Sequence, residues 1–287
     1  MALTINTNLS SMIVQSNLAK ATTSLNSAIE RMTTGYKINH ASDNAAGYSI
    51  AKNWEAKLGS LDVAADNAAT GADMLSTLED NYALINQHIQ RVRDLTEQAA
   101  NGTYGSQSLK AIKSEITARL QEVDRIAANC EFNGQNMMDG SMSGINIQVG
   151  IEGTPSKSQI SLDNSLFLKA DSKTLFGGSD QIEALANKCS GLSNGTTAAS
   201  MLGSIDTVIN TISARVTSLG AAQNRIESAI ESIGVQTENI TSSLSTLRDA
   251  DVAEESSKYI KAQILQQASA TLLATANQTP SIALNLL

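Results

Sequence analysis

The sequence predicts a mainly α protein, a long antiparallel helical bundle or coiled coil with a small β-hairpin region and with both termini paired as helices. Three observations carry this. Apolar residues recur at alternating four- and three-residue spacing over two long stretches, the period changes to two over a short stretch between them, and both chain ends are apolar yet free of charge. Composition agrees: aromatics make up 3% of the 287 residues and proline occurs twice, which suits long, thin helical packing better than a pocketed enzyme.

The first 19 residues, Met1 to Ala19, contain no Asp, Glu, Lys, Arg or His, and neither do the last 26, Ala262 to Leu287, in a chain that is 17% charged. Chain ends are normally the most solvated segments. Leu9, Ile13 and Leu18 at one end, with Ile264, Leu265, Leu272 and Leu273 at the other, are therefore assigned to terminal core packing. Packed only against each other, these side chains do not offset the entropy of ordering both ends. The ends are expected to order fully when further subunits supply apolar surface.

The first stripe continues through Leu18, Ala21, Leu25, Ala28 and Met32 until Gly35 closes the helix. Beyond an expected turn at Ala46-Gly47, Tyr48 and Trp54 read as packing anchors between two domains. A second stripe runs Gly71, Leu75, Leu78, Tyr82, Ile85, Ile89, Val92, Thr96, Ala99 and ends at Asn101-Gly102. A third helix, from near Ser108, sets Leu109, Ile112, Ile116, Leu120, Val123 and Ile126 on one face and stops before Asn133-Gly134.

Ile145, Ile147, Val149 and Ile151 then alternate with smaller or polar residues, Gly153-Thr154-Pro155 turns, and Ile160 and Leu162 alternate again, which predicts a β-hairpin. Ser190 to Ser200 is polar and Gly-containing and reads as a surface loop. From Ile205 to Leu247 the four-three spacing returns, with eleven of thirteen positions aliphatic, predicting a coiled-coil helix of about 43 residues and roughly 65 Å. Its seam residues Ile212, Leu219, Ile226 and Ile233 are natural partners for Leu78, Ile85 and Val92 of the second stripe.

Several function classes are excluded. A net charge of −8 without a basic stripe argues against a nucleic-acid partner. No run approaches 18 apolar residues, so no membrane insertion is expected, and the start lacks the basic segment and continuous apolar core of a secretory signal. Composition alone would place the protein in the cytoplasm. Cys130 and Cys189 are too few for a disulfide framework and have no Cys or His at metal-ligand spacing, so two buried thiols and no metal site are expected.

His40 and His88 have no Ser or Cys motif beside them, HExxH is absent, and Gly177-Gly178 lacks the residues of a phosphate cradle. No catalytic residue and no cofactor are predicted. Glu115, Glu122 and Asp124 share a helix with Lys110, Lys113, Arg119 and Arg125, which reads as a solvated, salt-bridged face.

Five segments in order, TTGYKINHASDNAAGYSIA (33–51), IQRVRDLTEQAANGT (89–103), SEITARLQEVDRIA with EFNG after it (114–134), LGAAQNRIESAI (219–230) and AQILQQASATLLATANQ (262–278), closely resemble bacterial flagellin. The resemblance spans roughly 1–140 and 205–287, and Ile147-Gln148-Val149-Gly150 also looks like the family's first β-hairpin. Asp43-Asn44 stands where the family usually has paired acids, and His40 and the two cysteines are atypical.

The resemblance implies a terminal helical domain, 1–44 plus 243–287, lining the core of a filament, and an outer helical-bundle domain, 45–242, with the hairpin near 143–163. Only a short variable stretch near 166–204 stands where relatives insert large domains, so a minimal form is implied. The implied function is that of a structural subunit, exported without a cleaved signal and polymerised outside the cell into the flagellar filament for motility. The implied partners are further copies in a helical homopolymer, the flagellar type III export apparatus, a flagellin chaperone, and the cap and hook-filament junction proteins. Arg91, Leu95 and Glu115 match positions that contact the flagellin-sensing Toll-like receptor of animals, and they are also expected on the assembly surface. Two rivals share features. The hook-filament junction protein has similar terminal helices, but the match over Ala262–Gln278 favours the filament subunit. A chemoreceptor-like signalling coiled coil has similar heptads but normally carries a membrane span.

Overall fold

The computed structural model describes residues 7–177 and 195–285, the side chains of 195–200 and 279–285 excepted. Helix α1 (Leu9–Thr34) starts where Asn8 Oδ1 accepts a hydrogen bond from the Ser11 N–H at 3.0 Å, satisfying one of the donors that a helix start leaves without an intrahelical partner. It ends at Gly35, whose φ of 75° is a left-handed conformation suited to glycine. The next long helix, α2 (Ala45–Ala100), begins with Asn44 Oδ1 accepting from the Gly47 N–H at 2.9 Å. Ala46-Gly47, expected as a turn, is therefore the first turn of a helix. Gly47 packs closely there: a Cβ on it would lie 2.8 Å from Ile38 Cδ1, so that side chain would have to shift.

Helix α3 (Ser106–Asn129) leads into a tight hairpin of β1 (Glu131–Phe132) and β2 (Gln135–Asn136). Asn133 and Gly134 between them have φ of 51° and 76°, the two positive values of a type I′ turn. Strands β3 (Ile145–Gln148) and β4 (Gln159–Leu162) pair antiparallel with Ile145 opposite Leu162 and Ile147 opposite Ile160. The hairpin is shorter than the alternation predicted. Beyond Gln148 the N–H groups of both Val149 and Gly150 converge on Ser158 O, and the one-turn helix α4 (Pro155–Ser158) fills the connection, so the ladder does not reach Ile151.

A 3₁₀ turn (Asn164–Leu166) and the short helix α5 (Ser172–Leu175) precede α6 (Gly195–Arg248) and α7 (Val252–Asn285). Of the expected loop Ser190–Ser200, the part from Gly195 is helical, and 190–194 lie outside the described residues. Once a helix of this length exists, its nucleation cost is met and each added residue gains a backbone hydrogen bond.

The described residues divide into two compact units, one of residues up to Leu58 together with those from Glu238, the other Gly59–Thr237, so the division falls inside α2 and α6. In the first unit α1 and α7 pair antiparallel. Asn8 Nδ2 donates to Ala276 O (2.7 Å), Gln266 Nε2 to Thr22 Oγ1 (3.2 Å), and Arg31 lies 3.5 Å from Glu255. Apart from Glu255 beside Arg31, the buried residues between them are small, Ala21, Ala28, Ala262 and Ser269, so the helices pack on small side chains. The breaks at 35–44 and 249–251 are knitted together by Lys37 N–H to Arg248 O (2.7 Å) and Ala250 N–H to Gly35 O (2.8 Å). Arg248 stacks 4.0 Å over the Tyr36 ring and pairs with Glu55.

In the second unit α2, α3 and α6 share one core. All nine positions of the second stripe, Gly71 to Ala99, are buried, as are Ile112, Ile116, Leu120, Val123 and Ile126 of α3. Ile212, Leu219, Ile226 and Ile233 are buried along α6, whereas Thr237, Ile240, Leu244 and Leu247 further on are only half-buried. Antiparallel register is fixed by Gln223 to Glu79 (2.8 Å) and Arg93 to Asp206 (2.7 Å). Leu166, Phe167, Ala170 and Phe176 are buried in the same core, so the first part of the short variable stretch is docked. Tyr48 and Trp54 are half-buried in the first unit, with Lys52 Nζ 5.7 Å from the Tyr48 ring centroid.

Candidate assembly surface

Because α1 and α7 meet through small residues, their large side chains face outward. Leu9 is 67% exposed, Ile264 60% and Leu272 57%, and Met12, Ile13, Ile260 and Leu265 are exposed as well. Leu18 and Leu273 are half-buried. So many exposed large apolar side chains on one helix pair are rare on a protein that works alone and mark surface that another molecule covers. Charge separates in the same way. The segments 1–58 and 238–287 carry eight Lys/Arg against eight Asp/Glu, and 59–237 carries twelve against twenty, so the net charge of −8 falls entirely in the latter.

On the second unit the sequence-selected residues divide. Arg91 Nε donates to Glu115 Oε1 at 3.1 Å, and Arg119 reaches the same carboxylate at 3.7 Å, with His88 Nδ1 3.5 Å from Arg119. Arg91 and Glu115 are exposed at the side chain, so their pairing contributes at most about 1 kcal/mol and stands as a surface feature. Leu95, four residues on from Arg91 and expected to share its helix face, is 1% exposed and belongs to the core. The reason is visible in its neighbours: Val92, Leu95, Thr96 and Ala99 follow i, i+3, i+4, i+7, which makes an apolar stripe wide enough to include Leu95.

Three polar fasteners escaped sequence reading because their partners lie far along the chain. Arg215 Nη1 donates to Lys169 O at 3.1 Å and to the Tyr82 hydroxyl at 3.3 Å, and burial raises the pKa of that hydroxyl. Asp124 Oδ1 accepts from the Ser172 N–H at 2.7 Å. The Glu55 carboxyl is held below its ordinary range by the Lys52 hydrogen bond and by Arg248. Asp43, accepting from the N–H groups of His40 and Asn39, is held low in the same sense.

His40 Nε2 lies 2.7 Å from Glu30 on an exposed surface. Cys130 is buried, and burial pushes its thiol up to about 11, while Cys189 lies outside the described residues. Among the described residues no group of three or more His, Cys, Asp or Glu is placed to hold a metal ion, and no helix is long and apolar enough to cross a membrane.

Comparison with known proteins adds to this geometry. The profile of the bacterial flagellin N-terminal helical region matches residues 5–143, and that of the C-terminal helical region matches 202–287. The chain is 32% identical to the flagellin of Halalkalibacterium halodurans over 283 residues, covering 99% of both chains. It is 32% identical to the flagellin of Bacillus subtilis over 305 residues, again covering 99% of both. A solved structure from Vibrio parahaemolyticus, proposed to be a flagellar hook-associated protein, is 13% identical with a TM-score of 0.60, covering 72% of this chain and 100% of that one. At that identity the likeness is one of fold.

Proposed function

This chain belongs to the bacterial flagellin family, in a form of minimal size, and from that premise we propose that the exposed apolar faces of α1 and α7 are the surfaces through which its copies pack. It is a structural subunit that polymerises into the flagellar filament for motility. The observation that carries the proposal is the exposure of Leu9, Ile264 and Leu272 within segments that hold no charge. In the polymer these side chains leave water, so the ordering of the ends is coupled to assembly, and residues 1–44 with 243–287 line the filament core. Residues 45–242, bearing the net negative charge, form the outer domain. The subunit has no enzymatic activity.

The same reading places the chain outside the cell. It travels through the flagellar type III export apparatus, escorted by a flagellin chaperone, and meets the cap and hook-filament junction proteins as the filament grows. Ends that gain most of their burial only in the polymer suit such a route, because little structure opposes unfolding for transit. Negative-stain microscopy of purified protein at raised salt tests the central statement. Long filaments are expected, and ring-like junction material or dispersed molecules would overturn it. Removing residues 1–19 or 262–287 should leave the core of 59–237 folded by circular dichroism and stop filament growth.

Arg91 and Glu115 form an exposed surface suited to the flagellin-sensing Toll-like receptor, with Leu95 supporting it from the core. If that surface also faces neighbouring subunits, monomer signals and polymer does not. Replacing Arg91 by Ala should lower the receptor signalling of the monomer, and an equally potent mutant would remove this role.

A further inference from the structure

The chain holds three Asn-Gly pairs, at 101–102, 133–134 and 194–195, and one Asp-Gly pair, Asp139-Gly140. Such pairs carry their own chemistry. With no Cβ on the second residue, its backbone nitrogen approaches the side-chain carbonyl carbon of the first and closes a five-membered ring. The fold decides where this happens, because ring closure turns the backbone of the first residue away from its folded dihedral angles.

Asn101-Gly102 is free to make that turn. Asn101, Gly102 and Thr103 are all exposed, in the connection between α2 and α3. A Cβ built on Gly102 or on Gly105 would meet nothing within 4 Å, so the loop has open space around it. The backbone bond across the turn, from Tyr104 N–H to Asn101 O, is long at 3.5 Å. The Thr103 N–H also donates to Asn101 Oδ1 at 3.3 Å, which polarises the side-chain carbonyl and faces the oxygen on which negative charge develops during attack.

The other described pairs are held. Asn133-Gly134 is the turn between β1 and β2, with Phe132 paired to Gln135 immediately outside it and Met137 N–H donating to Cys130 O at 2.9 Å, so rotating Asn133 breaks the ladder. Ring closure at Asp139 expels water and requires a protonated carboxyl, whereas hydrogen bonds from Ser141 hold that carboxyl below its ordinary range. Gly140 is crowded as well, since a Cβ there would lie 3.2 Å from Lys169 Cβ. Asn194 lies outside the described residues.

We infer that Asn101 is a modification site at which the folded chain deamidates itself, with water as the only co-reactant. The Gly102 nitrogen bonds to Asn101 Cγ and gives its proton to solvent, the Cγ–Nδ2 bond breaks, and the nitrogen takes up a proton and leaves as ammonia, forming a succinimide. Water then opens the ring at either carbonyl. One opening gives aspartate, the other isoaspartate, whose main chain runs through the side-chain carbons. Nothing is oxidised or reduced. Either product sets one more negative charge at the negative end of the α2 dipole, and isoaspartate also lengthens the connection between α2 and α3. Because the ammonia is lost to solvent, the change accumulates with the age of each copy.

The test is ageing of the native full chain at pH 8, followed by tryptic digestion and mass spectrometry. Asn101 and Asn133 fall in separate tryptic peptides, 94–110 and 126–157. Peptide 94–110 should gain about 1 Da in a fraction that grows with time, located at Asn101 by fragmentation and resolved by chromatography into aspartyl and isoaspartyl forms. Peptide 126–157 should lag well behind it in the native chain and catch up in guanidinium, where the hairpin no longer fixes Asn133. Gly102→Ala, for which the fold has room, should lose most of the conversion at Asn101 while its circular dichroism and melting stay those of wild type. A 94–110 peptide that keeps its mass on ageing, a native chain in which 126–157 converts first, or a Gly102→Ala variant that converts as fast as wild type would overturn the inference.

Discussion

Replacing Ile264 and Leu272 by Ala separates the energetics of assembly from those of the folded monomer. In the single chain these side chains are 60% and 57% exposed, so covering them in a polymer removes somewhat more than half of each from water. Complete burial of such a side chain is worth about 1.5–3 kcal/mol, which makes the share gained on assembly about 1–2 kcal/mol each and about 2–4 for the pair. At tenfold per 1.4 kcal/mol the critical concentration of the double variant should rise roughly 30- to 1,000-fold. Exposed substitutions leave the monomer within about 0.5 kcal/mol of its starting stability. Ile226→Ala, at a fully buried site in the core of the other unit, should do the reverse and cost the monomer about 2–5 kcal/mol. Chemical denaturation of the monomer and light scattering of the polymer read the two quantities. A double variant that polymerises at the wild-type critical concentration would show that these faces are not covered on assembly.

Acid should loosen the first unit. Asp43 and Glu55 titrate below their ordinary values of 3.8 and 4.5 in the folded chain, so the stability they confer is full above those values and is lost as pH falls through the lower folded ones. Thermal melts between pH 5 and pH 2 should show this decline, and Asp43→Asn should flatten it. Cys130, buried and with its thiol pushed up to about 11, should resist alkylation at pH 8 until the chain is unfolded, and mass spectrometry of non-reduced peptides decides whether it pairs with Cys189. Gly144→Ala meets two obstacles, a φ of 106° and a Cβ 2.8 Å from Leu162 O, and should destabilise by about 1–3 kcal/mol in a melting experiment. Gly153→Ala, which meets open space, should be near neutral.

What could be read in advance was whatever repeats locally. The stripe from Gly71 to Ala99 states its buried face through spacing alone, and Gly35 marks a helix end because few other residues adopt a left-handed φ at low cost. Asn133-Gly134 was legible only in part. It marked where α3 ends, yet as a type I′ pair it also signals the hairpin of β1 and β2. Leu95 shows the opposite limit, since reading it as the i+4 neighbour of Arg91 ignores that it is also the i+3 neighbour of the buried Val92. Arg248 with Glu55 and Arg215 with Tyr82 have no local pattern. These pairs join residues 193 and 133 positions apart, and only the fold brings them together.

Charge segregation makes a final prediction about salt. Residues 59–237 hold the whole net charge of −8, while 1–58 with 238–287 are balanced and the outermost 45 residues hold none. Bringing copies together therefore opposes two kinds of force. Apolar burial on α1 and α7 is insensitive to modest ionic strength, whereas repulsion between the acidic segments weakens as the Debye length shrinks from about 30 Å at 0.01 M to about 8 Å at 0.15 M. The critical concentration should accordingly fall as salt is raised through that range, with the change confined to the repulsive component. A variant in which Glu122, Glu131 and Glu152 are replaced by Gln carries three fewer negative charges in the acidic segment and should polymerise at lower salt than wild type. Light scattering across a salt series measures both. A critical concentration that rose from the lowest salt upward, or a neutralised variant with unchanged dependence, would show that ion pairs rather than apolar faces dominate the contact between copies.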